Sequence, residues 1–292
     1  RAAPVRLAGG VGPLLMRIAV IAPGAMGAAV AWRLHQRGAE VAVTLAGRGG
    51  GSAARAAGLA TLESEAALVR WAEAVLSILP PGEALGLAER LAPVLAERPG
   101  QVLYADCNAV SPPTVQAIAA AVPAARFVDV GIIGGPPKQD GPGPKLYASG
   151  PHAPALLGLR THGIDLRVIE GGIGAASALK MSYAGITKGL TALGSAMALG
   201  AAQAGAAEAL RAELADSQPA LLAWLQRSVP DMFPKAYRWV AEMQEISAFL
   251  GDIPARDIHL GAASLFAALA EANANQTPDG PIARLTNFYR RA

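Results

Sequence analysis

The stretch VIAPGAMG, Val20 to Gly27, decides the fold of this 292-residue chain. An apolar, β-branched run precedes it (RIAVI, Arg17–Ile21) and is typical of a strand buried in a parallel sheet. An apolar stripe at helical spacing follows in residues 25–37, and Gly38 then marks a helix end. A second β-branched run comes next, so the sequence predicts a strand, a loop, a helix and another strand.

The loop carries most of the glycine pattern G-x-G-x-x-G. Glycine stands at 24 and 27, and alanine stands at 22. In dinucleotide-binding loops the second glycine lets the backbone approach a pyrophosphate, and the third lets the helix pack on the strand. The first serves the tight turn, where Ala22 fits if its φ stays negative. This context favours a cofactor loop over a purely structural turn.

Composition excludes several classes of protein. The residues are 52% hydrophobic and only 16% charged, so we expect a globular protein long enough for two domains. A net charge of +3 is too small and too evenly spread to indicate nucleic-acid binding. The single cysteine, Cys107, excludes an internal disulfide and indicates a reducing compartment, so we expect a cytoplasmic protein. The four histidines lack metal-ligand spacing, so we expect no metal.

Two segments need separate interpretation. Residues 1–15 are rich in Gly and Pro and are interpreted as a flexible leader, with Met16 as a candidate natural start. Residues 189–207 carry no charge and are long enough to imitate a membrane span. Their many Ala and Gly residues instead favour a helix buried on all sides by protein, with no membrane contact. Such a helix needs more cover than one small domain provides, so we expect a homodimer packed around it.

The order of predicted elements gives the fold class. In the first half, strands alternate with helices such as 82–96 and 111–122, and this predicts a parallel sheet with helices on both faces. The predicted strands are 17–22, 39–45, 59–62, 74–79, 101–106, 126–131, 145–150 and 165–170. The predicted helices that follow are 175–206, 207–228, 235–250 and 255–274. We therefore expect an α/β NAD(P)-binding domain over 16–172 and an all-α substrate and dimerisation domain over 173–292.

The loop after the second strand bears on the choice of cofactor. NAD is favoured there by an acidic residue and NADP by an arginine. No acidic residue occurs between Val41 and Leu62, whereas Arg48 is well placed to pair with a 2′-phosphate, with Ser52 and Arg55 as helpers. The alternative is that Arg48 is a solvated loop residue. The sequence favours NADP, with NAD as the alternative.

Three further segments carry a family resemblance: DCNAVSP at 106–112, GIIGGPP at 131–137 and ALKMSYAGITKG at 178–189. With the glycine loop they resemble the β-hydroxyacid dehydrogenase superfamily, which includes 6-phosphogluconate dehydrogenase and, more distantly, the imine reductases. The resemblance covers about residues 16–292. It implies a Rossmann-like domain followed by a helical domain built around one long helix, often in a dimer.

The resemblance also implies roles for individual residues. Those at the pyrophosphate would be Gly24, Ala25, Met26 and Gly27, and those beside the nicotinamide would be Leu79 and Pro80. Gly134 and Gly135 match two substrate-side glycines, whereas Ile133 and Ala184 replace a family Ser and Asn. These two losses make a simple hydroxy-carboxylate a poorer substrate. Replacement polar contacts are available from Asn108, Ser111, Tyr183 and Lys188. The alternatives are a core aromatic for Tyr183 and a solvated charge for Lys188.

Lys180 is the candidate catalytic residue. It is the only charge between Glu170 and Lys188. A desolvated lysine loses its proton more readily and can act as acid or base near neutral pH. The alternative is a lysine that snorkels to the surface, and the family register favours the catalytic role. The sequence thus predicts an NADP-preferring oxidoreductase acting on a hydroxyl or carbonyl carbon of a small molecule. Imine reduction and NADP binding without turnover, as a sensor or scaffold, are the alternatives.

Overall fold

The computed structural model describes residues 17–137, 141–275 and 277–290; the predicted leader and Met16 lie outside them. The chain divides into two compact units. The sheet unit runs to Asn108 and resumes over Pro112–Ser177. The helical unit takes Ala109–Ser111 and everything from Ala178 onward.

The sheet unit is built on eight strands among the described residues. They are β1 (Arg17–Ile21), β2 (Glu40–Thr44), β3 (Ala60–Leu62), β4 (Ala74–Ser77), β5 (Leu103–Asp106), β6 (Arg126–Ile133), β7 (Lys145–Ser149) and β8 (Asp165–Val168). Their order in the sheet is β3-β2-β1-β4-β5-β6-β7-β8. Ile18 and Val20 of β1 are fully buried, as expected for a strand covered on both faces.

One strand corrects the prediction of a wholly parallel sheet. β7 runs antiparallel to β6, and β8 is again parallel to β7. A parallel return needs a long crossover, usually a helix. The described part of the link between β6 and β7, residues 134–137 and 141–144, contains no helix, so the chain reverses there. The other described strand pairs are parallel as predicted.

Helices flank the sheet. They are α1 (Ala25–Gln36), α2 (Gly50–Ala56), α3 (Glu65–Trp71), α4 (Ala84–Ala96) and α5 (Pro112–Ala121), with 3₁₀ helices at Pro81–Glu83 and Ala153–His162. The sequence yields no individual prediction for α2 and α3, because helices of only seven residues each show almost no periodic signal. Ser64 starts α3 by accepting a hydrogen bond from the backbone N–H of Ala67 at 3.1 Å.

The described helices that follow belong mainly to the helical unit. They are α6 (Ala175–Gln203), α7 (Ala207–Ser217), α8 (Pro219–Met232), α9 (Ala236–Leu250), α10 (Arg256–Ala274) and α11 (Pro281–Tyr289). The prediction of one helix over 207–228 was wrong, because Gln218 leaves helical geometry immediately before Pro219. A residue before proline avoids the helical region, so the proline starts a new helix.

The long helix α6 carries one exposed apolar face, which we call the α6 stripe. Its members follow one another at steps of three and four residues, the spacing of one helical face; they are Tyr183, Ile186, Leu190, Leu193 and Met197, each 40–65% exposed. The expectation of a helix buried on all sides is therefore wrong for the single chain. No helix among the described residues is long and apolar enough to cross a membrane.

Candidate functional site

The glycine loop joins β1 to α1 in the geometry of an anion cradle. Gly24 is the residue before the helix, with extended backbone and no side-chain cap, and the first turn holds no acidic residue. A Cβ added at Gly24 would meet no atom of the described residues within 4 Å, so the described part of the chain leaves the space above the loop open. The N–H groups of the first helical turn have no partner within the helix, and the helix dipole is positive there. These residues fit a pyrophosphate.

The other two positions of the glycine pattern also fit. A Cβ added at Gly27 would collide with the carbonyl oxygen of Ala22, so only glycine allows this helix to pack on its strand. No described non-glycine residue has a positive φ, so the first position does not require the conformation that only glycine adopts readily, and alanine can occupy it. The missing glycine therefore does not disable the loop.

Arg48 follows the end of β2, where its backbone N–H donates to the carbonyl of Leu45 at 3.0 Å. Its guanidinium lies 3.4 Å from a carboxylate oxygen of Glu65 and 3.9 Å from one of Glu83. Arg90 of α4 contacts the same Glu65 carboxylate through two nitrogens, at 3.2 and 3.3 Å. The predicted 2′-phosphate ligand is thus already paired. Sequence reasoning missed Glu65 and Glu83, because both lie beyond the loop in which a ribose-binding acid is sought.

Ser52 and Arg55 of α2 lie beside the glycine loop. The Arg55 side chain donates to the carbonyl of Pro23 and to the hydroxyl of Ser52, both at 3.4 Å. The backbone carbonyl of Arg55 accepts a hydrogen bond from the Trp32 indole of α1 at 3.0 Å. The structure therefore brings two of the predicted cofactor residues to the start of α1.

Asn108 ties together the ends of β4 and β5. Its amide oxygen accepts from the backbone N–H of Leu79 at 2.5 Å, and its amide nitrogen donates to Ser77 at 2.9 Å and to Asp106 at 2.5 Å. Only 3% of Asn108 is exposed. Both of its N–H groups are used within the protein, so we treat Asn108 as a positioning residue for Leu79 rather than as a substrate ligand.

Two buried carboxylates lie at this part of the sheet: Asp106, which accepts from Asn108, and Asp129 on the neighbouring strand β6. Burial raises the pKa of Asp106 to about 7, the hydrogen bond from Asn108 opposes this, and the nearby charge of Asp129 adds to it. Asp129 is fully buried and accepts hydrogen bonds from the backbone N–H groups of Gly174 and Ser177 and from the hydroxyls of Ser149 and Ser177, at 2.7–3.1 Å. Asp129 therefore fixes the first turn of α6. Its only sequence signal is a lone carboxylate in a buried strand.

Cys107 and the glycines after β6 complete the sheet unit. Burial raises the pKa of Cys107 well above its ordinary value, which favours an inert packed thiol. Gly134 has a φ of +126°, and a Cβ added there would lie 3.1 Å from the Cα of Pro144, so glycine suits this turn. Gly134 and Gly135 are exposed and present their backbone to solvent.

Lys188 is the most constrained charge on α6. Its ammonium group forms an ion pair with Glu242 of α9 and lies 4.9 Å from the centre of the Trp239 ring. The side chain is only 14% exposed, which excludes a solvated charge. Burial lowers the pKa of Lys188 to about 8; Glu242 opposes this shift and Lys180 adds to it. Tyr183 is 50% exposed, so it is not a core aromatic residue.

Lys180, Ala184 and Lys188 lie at four-residue steps along α6, close to one face of the helix. Ala184 is buried and Lys180 is half-buried. Ser111, which groups with the helical unit, donates its backbone N–H to Glu245 of α9 at 2.8 Å. Glu245 is therefore a further polar residue of this unit that the sequence did not single out.

Comparison with known proteins decides the identity of the first unit. Residues 17–153 match the NAD-binding domain of 6-phosphogluconate dehydrogenase. The chain therefore contains an NAD(P)-binding domain of the 6-phosphogluconate dehydrogenase type. Residues 201–272 match a domain of unknown function, DUF1932.

Several individual proteins are similar to this chain. An uncharacterised 28.5 kDa protein of Methanothermus fervidus is 32% identical over 126 residues, 43% of this chain, and the match spans about half of that relative's length (47%). The structure of the conserved protein MTH1747, of unknown function and structurally similar to 3-hydroxyacid dehydrogenases, is 27% identical, with 89% of this chain and 98% of that one covered and a TM-score of 0.69.

Two more distant structures share the fold. The 3-hydroxyisobutyrate dehydrogenase of Mycobacterium tuberculosis, with L-serine, is 18% identical over 95% of this chain and 100% of that one, with a TM-score of 0.65. The imine reductase of Myxococcus stipitatus, in complex with NADP⁺, is 18% identical over 94% of this chain and 100% of that one, with a TM-score of 0.52.

The candidate residues divide between these domains. The glycine loop, Arg48, Leu79 and Asn108 lie in the NAD(P)-binding domain, whereas Trp239, Glu242 and Glu245 lie in the DUF1932 domain. Lys180, Tyr183 and Lys188 fall between the two matched stretches, on the exposed or half-buried part of α6. The fold predicted from the sequence is confirmed, the predicted resemblance to 6-phosphogluconate dehydrogenase is confirmed in the NAD(P)-binding domain, and the roles of individual residues stay predictions.

Proposed function

We propose that this protein is an NADP-preferring oxidoreductase that acts on a hydroxyl or carbonyl carbon of a small molecule. The observation that carries the proposal is the glycine loop, in which open space above Gly24 meets the uncapped first turn of α1. A bound nicotinamide cofactor supplies or accepts the hydride, and the protein supplies orientation and proton transfer.

In the NAD(P)-binding domain the chain's own groups hold the cofactor. The backbone N–H groups of Ala25, Met26 and Gly27 bind the pyrophosphate, and Arg48, with Ser52, binds the 2′-phosphate. Leu79 and Pro80 line the nicotinamide side, and the hydrogen bond from Leu79 to Asn108 fixes their backbone. The proposal of NADP rests on Arg48 and on the absence of acidic residues between positions 41 and 62.

On α6, Lys180 gives or takes the proton of the reacting heteroatom. Asp129 fixes the helical turn that immediately precedes it, which limits the positions that Lys180 can adopt. Lys188, held by Glu242, adds positive charge on the same helix. Tyr183, Ser111 and the backbone of Gly134 and Gly135 are the proposed substrate contacts.

Reduction of an imine is the second candidate. Ile133 and the buried Ala184 stand where the resembling family has a serine and an asparagine. A site that lacks these hydrogen-bonding groups loses discrimination in favour of a hydroxy-carboxylate. Both reactions use the same cofactor and the same proton-transfer group, so the choice between them lies in the substrate.

We also propose that the protein is a homodimer packed through the part of the α6 stripe from Ile186 to Met197, which leaves Tyr183 for the substrate. Contiguous apolar surface of this kind marks an interaction site, and a second copy presents the same surface, as a two-fold symmetric interface requires. The buried Cys107 supports the proposal of a reducing compartment, the cytoplasm.

Titration of the purified protein with NADPH and NADH, followed by nicotinamide fluorescence, tests the cofactor part of the proposal. We expect both to bind and NADPH to bind more tightly. A panel of carbonyl compounds and imines, followed at the nicotinamide absorbance band, then tests catalysis. Equal affinities would overturn the NADP preference, and binding of both cofactors without turnover of any panel member would favour a sensor or scaffold.

A further inference from the structure

Arg48 is held by carboxylates that come from elsewhere in the sheet unit. Glu65 is the first residue of α3, and Glu83 ends the 3₁₀ helix before α4. Their carboxylate oxygens lie 3.4 and 3.9 Å from the two terminal nitrogens of Arg48. Both of these nitrogens, which a phosphate would contact, therefore already face a negative charge.

The cluster as a whole is electrically balanced. It contains the cations Arg48 and Arg90 and the anions Glu65 and Glu83. Glu65 is shared by both arginines, and its contact with Arg90 raises the pKa of that guanidinium. A 2′-phosphate, with a charge between −1 and −2 near neutral pH, enters a site of no net charge and meets two carboxylates. The binding free energy that the 2′-phosphate gains from Arg48 is therefore smaller than an unpaired arginine would provide.

The same carboxylates bear on the choice between the two cofactors. In dinucleotide-binding domains an acidic residue near the end of the second strand binds the ribose 2′-hydroxyl of NAD. The loop after β2 lacks that residue, but Glu65 and Glu83 bring carboxylates to its arginine from α3 and from the 3₁₀ helix. A carboxylate accepts a hydrogen bond from a hydroxyl and repels a phosphate.

We propose that Glu65 and Glu83 are specificity-determining residues: by holding Arg48 in ion pairs, they weaken its contact with a 2′-phosphate and limit the preference for NADP over NAD. This inference rests on the proposed function, because it requires cofactor binding at the glycine loop. It goes beyond that function in making the preference depend on two residues outside the binding loop, which act through Arg48 and are positioning residues.

The variant Glu83→Gln tests the inference most cleanly. Glu83 is 56% exposed and neighbours Arg48 rather than the core, so its replacement should leave folding intact. We expect the dissociation constant for NADPH to fall by about two- to tenfold. The dissociation constant for NADH should stay unchanged or rise. Because the effect is electrostatic, it should shrink as ionic strength rises. Glu83→Asp keeps the charge and should retain most of the original ratio of the two constants.

Glu97→Gln is the matched control. Glu97 is 48% exposed and forms its ion pair with Arg70 of the same unit rather than with Arg48. Glu97→Gln should leave the ratio of the NADPH and NADH dissociation constants unchanged. A second variant, Glu65→Gln, should also raise the affinity for NADPH, as Glu83→Gln does.

The outcomes separate the inference from the proposed function. If the unaltered protein binds both cofactors but Glu83→Gln and Glu65→Gln leave their ratio unchanged, the inference is overturned and the proposed function stands. If the unaltered protein binds neither cofactor, the proposed function itself is overturned, and the inference with it.

Discussion

Asp106 and Asp129 are register partners on the neighbouring strands β5 and β6. Each is at most 1% exposed, so two carboxylates share the interior of the sheet unit. The carboxylate of Asp129 accepts hydrogen bonds from the start of α6, whereas one oxygen of Asp106 has no hydrogen-bond partner among the described residues. Burying both as anions is unfavourable, because like charges in a low-dielectric interior repel.

This arrangement predicts that stability depends on pH through Asp106. Its pKa in the folded protein is about 7, above the ordinary value of 3.8, so the folded state binds more protons between these values. The contribution of protonated Asp106 is fully present below about pH 4 and is lost as the pH rises through about 7. One such group changes the free energy of unfolding by at most about 1.4 kcal/mol per pH unit.

Urea denaturation of the unaltered protein and of Asp106→Asn at pH 5 and pH 8 checks this prediction. Asparagine keeps the acceptor for Asn108 but cannot ionise. The difference in stability between the two proteins should shift in favour of Asp106→Asn at pH 8. Parallel pH profiles for the two proteins would mean that Asp106 does not titrate in this range.

A second prediction concerns Asp129. Replacing it with asparagine exchanges one carboxylate oxygen, which accepts hydrogen bonds, for an amide NH₂ group, which donates them. This change removes an acceptor beside the N–H groups of Gly174 and Ser177. Leaving such buried donors unsatisfied should lower the free energy of unfolding by about 2–4 kcal/mol. Asp165→Asn is the control, since Asp165 is 46% exposed and pairs with Arg167, and it should change stability by less than about 0.5 kcal/mol. Equal effects of the two replacements would rule out the role given to Asp129.

A third prediction concerns Arg48. Its replacement by alanine should remove most of the difference in affinity between NADPH and NADH, since a hydrogen bond to a charged group contributes about 1.5–3 kcal/mol. Fluorescence titration with both cofactors measures this. Arg70→Ala, which removes another arginine paired with a glutamate, should leave the difference intact. If Arg48→Ala kept the full preference, another residue would read the 2′-phosphate.

A fourth prediction concerns assembly. Leu193 is 58% exposed on the α6 stripe, and Ile258 is 66% exposed on α10. A charge at the centre of an apolar interface is strongly unfavourable, so Leu193→Asp should weaken dimerisation at least about tenfold, whereas Ile258→Asp should not. Light scattering at micromolar concentration distinguishes the two. A monomeric unaltered protein would contradict the proposed dimer.

The sequence predicted the features that rest on long periodic patterns. Strands β1 and β2, the glycine loop and helices α4, α6, α9 and α10 were predicted within a few residues, because their apolar patterns match buried strands or helical faces. The break at Gln218 was missed, because the apolar pattern continues across Pro219. The antiparallel β7 was missed, because strand direction depends on the connection from β6, whose described residues contain no helix.

At the candidate site, the sequence indicated the charged side chains but not the residues that form ion pairs with them. Arg48 and Lys188 were singled out as charges in informative positions. Their partners Glu65, Glu83 and Glu242 come from distant parts of the chain and have no local signature. The sequence therefore indicates which cofactor group Arg48 suits, and only the structure shows what competes for it.

We propose that Lys180 transfers the proton in a nicotinamide-dependent reaction. The direct test of this role is the kcat/KM of Lys180→Ala on a substrate found in the carbonyl and imine panel, with NADPH binding measured on the same sample. We expect kcat/KM to fall by about 10²–10⁴-fold. The dissociation constant for NADPH should change little, because the glycine loop and Arg48 lie in the sheet unit.

Two further variants sharpen this measurement. Lys180→Arg should not restore the rate, because a guanidinium stays protonated and cannot act as the base. Lys235→Ala, which removes an exposed lysine paired with Asp231, should keep full activity. We expect Lys180→Ala to lose turnover and keep NADPH binding, and Lys235→Ala to keep both. Full activity of Lys180→Ala would contradict the role proposed for Lys180.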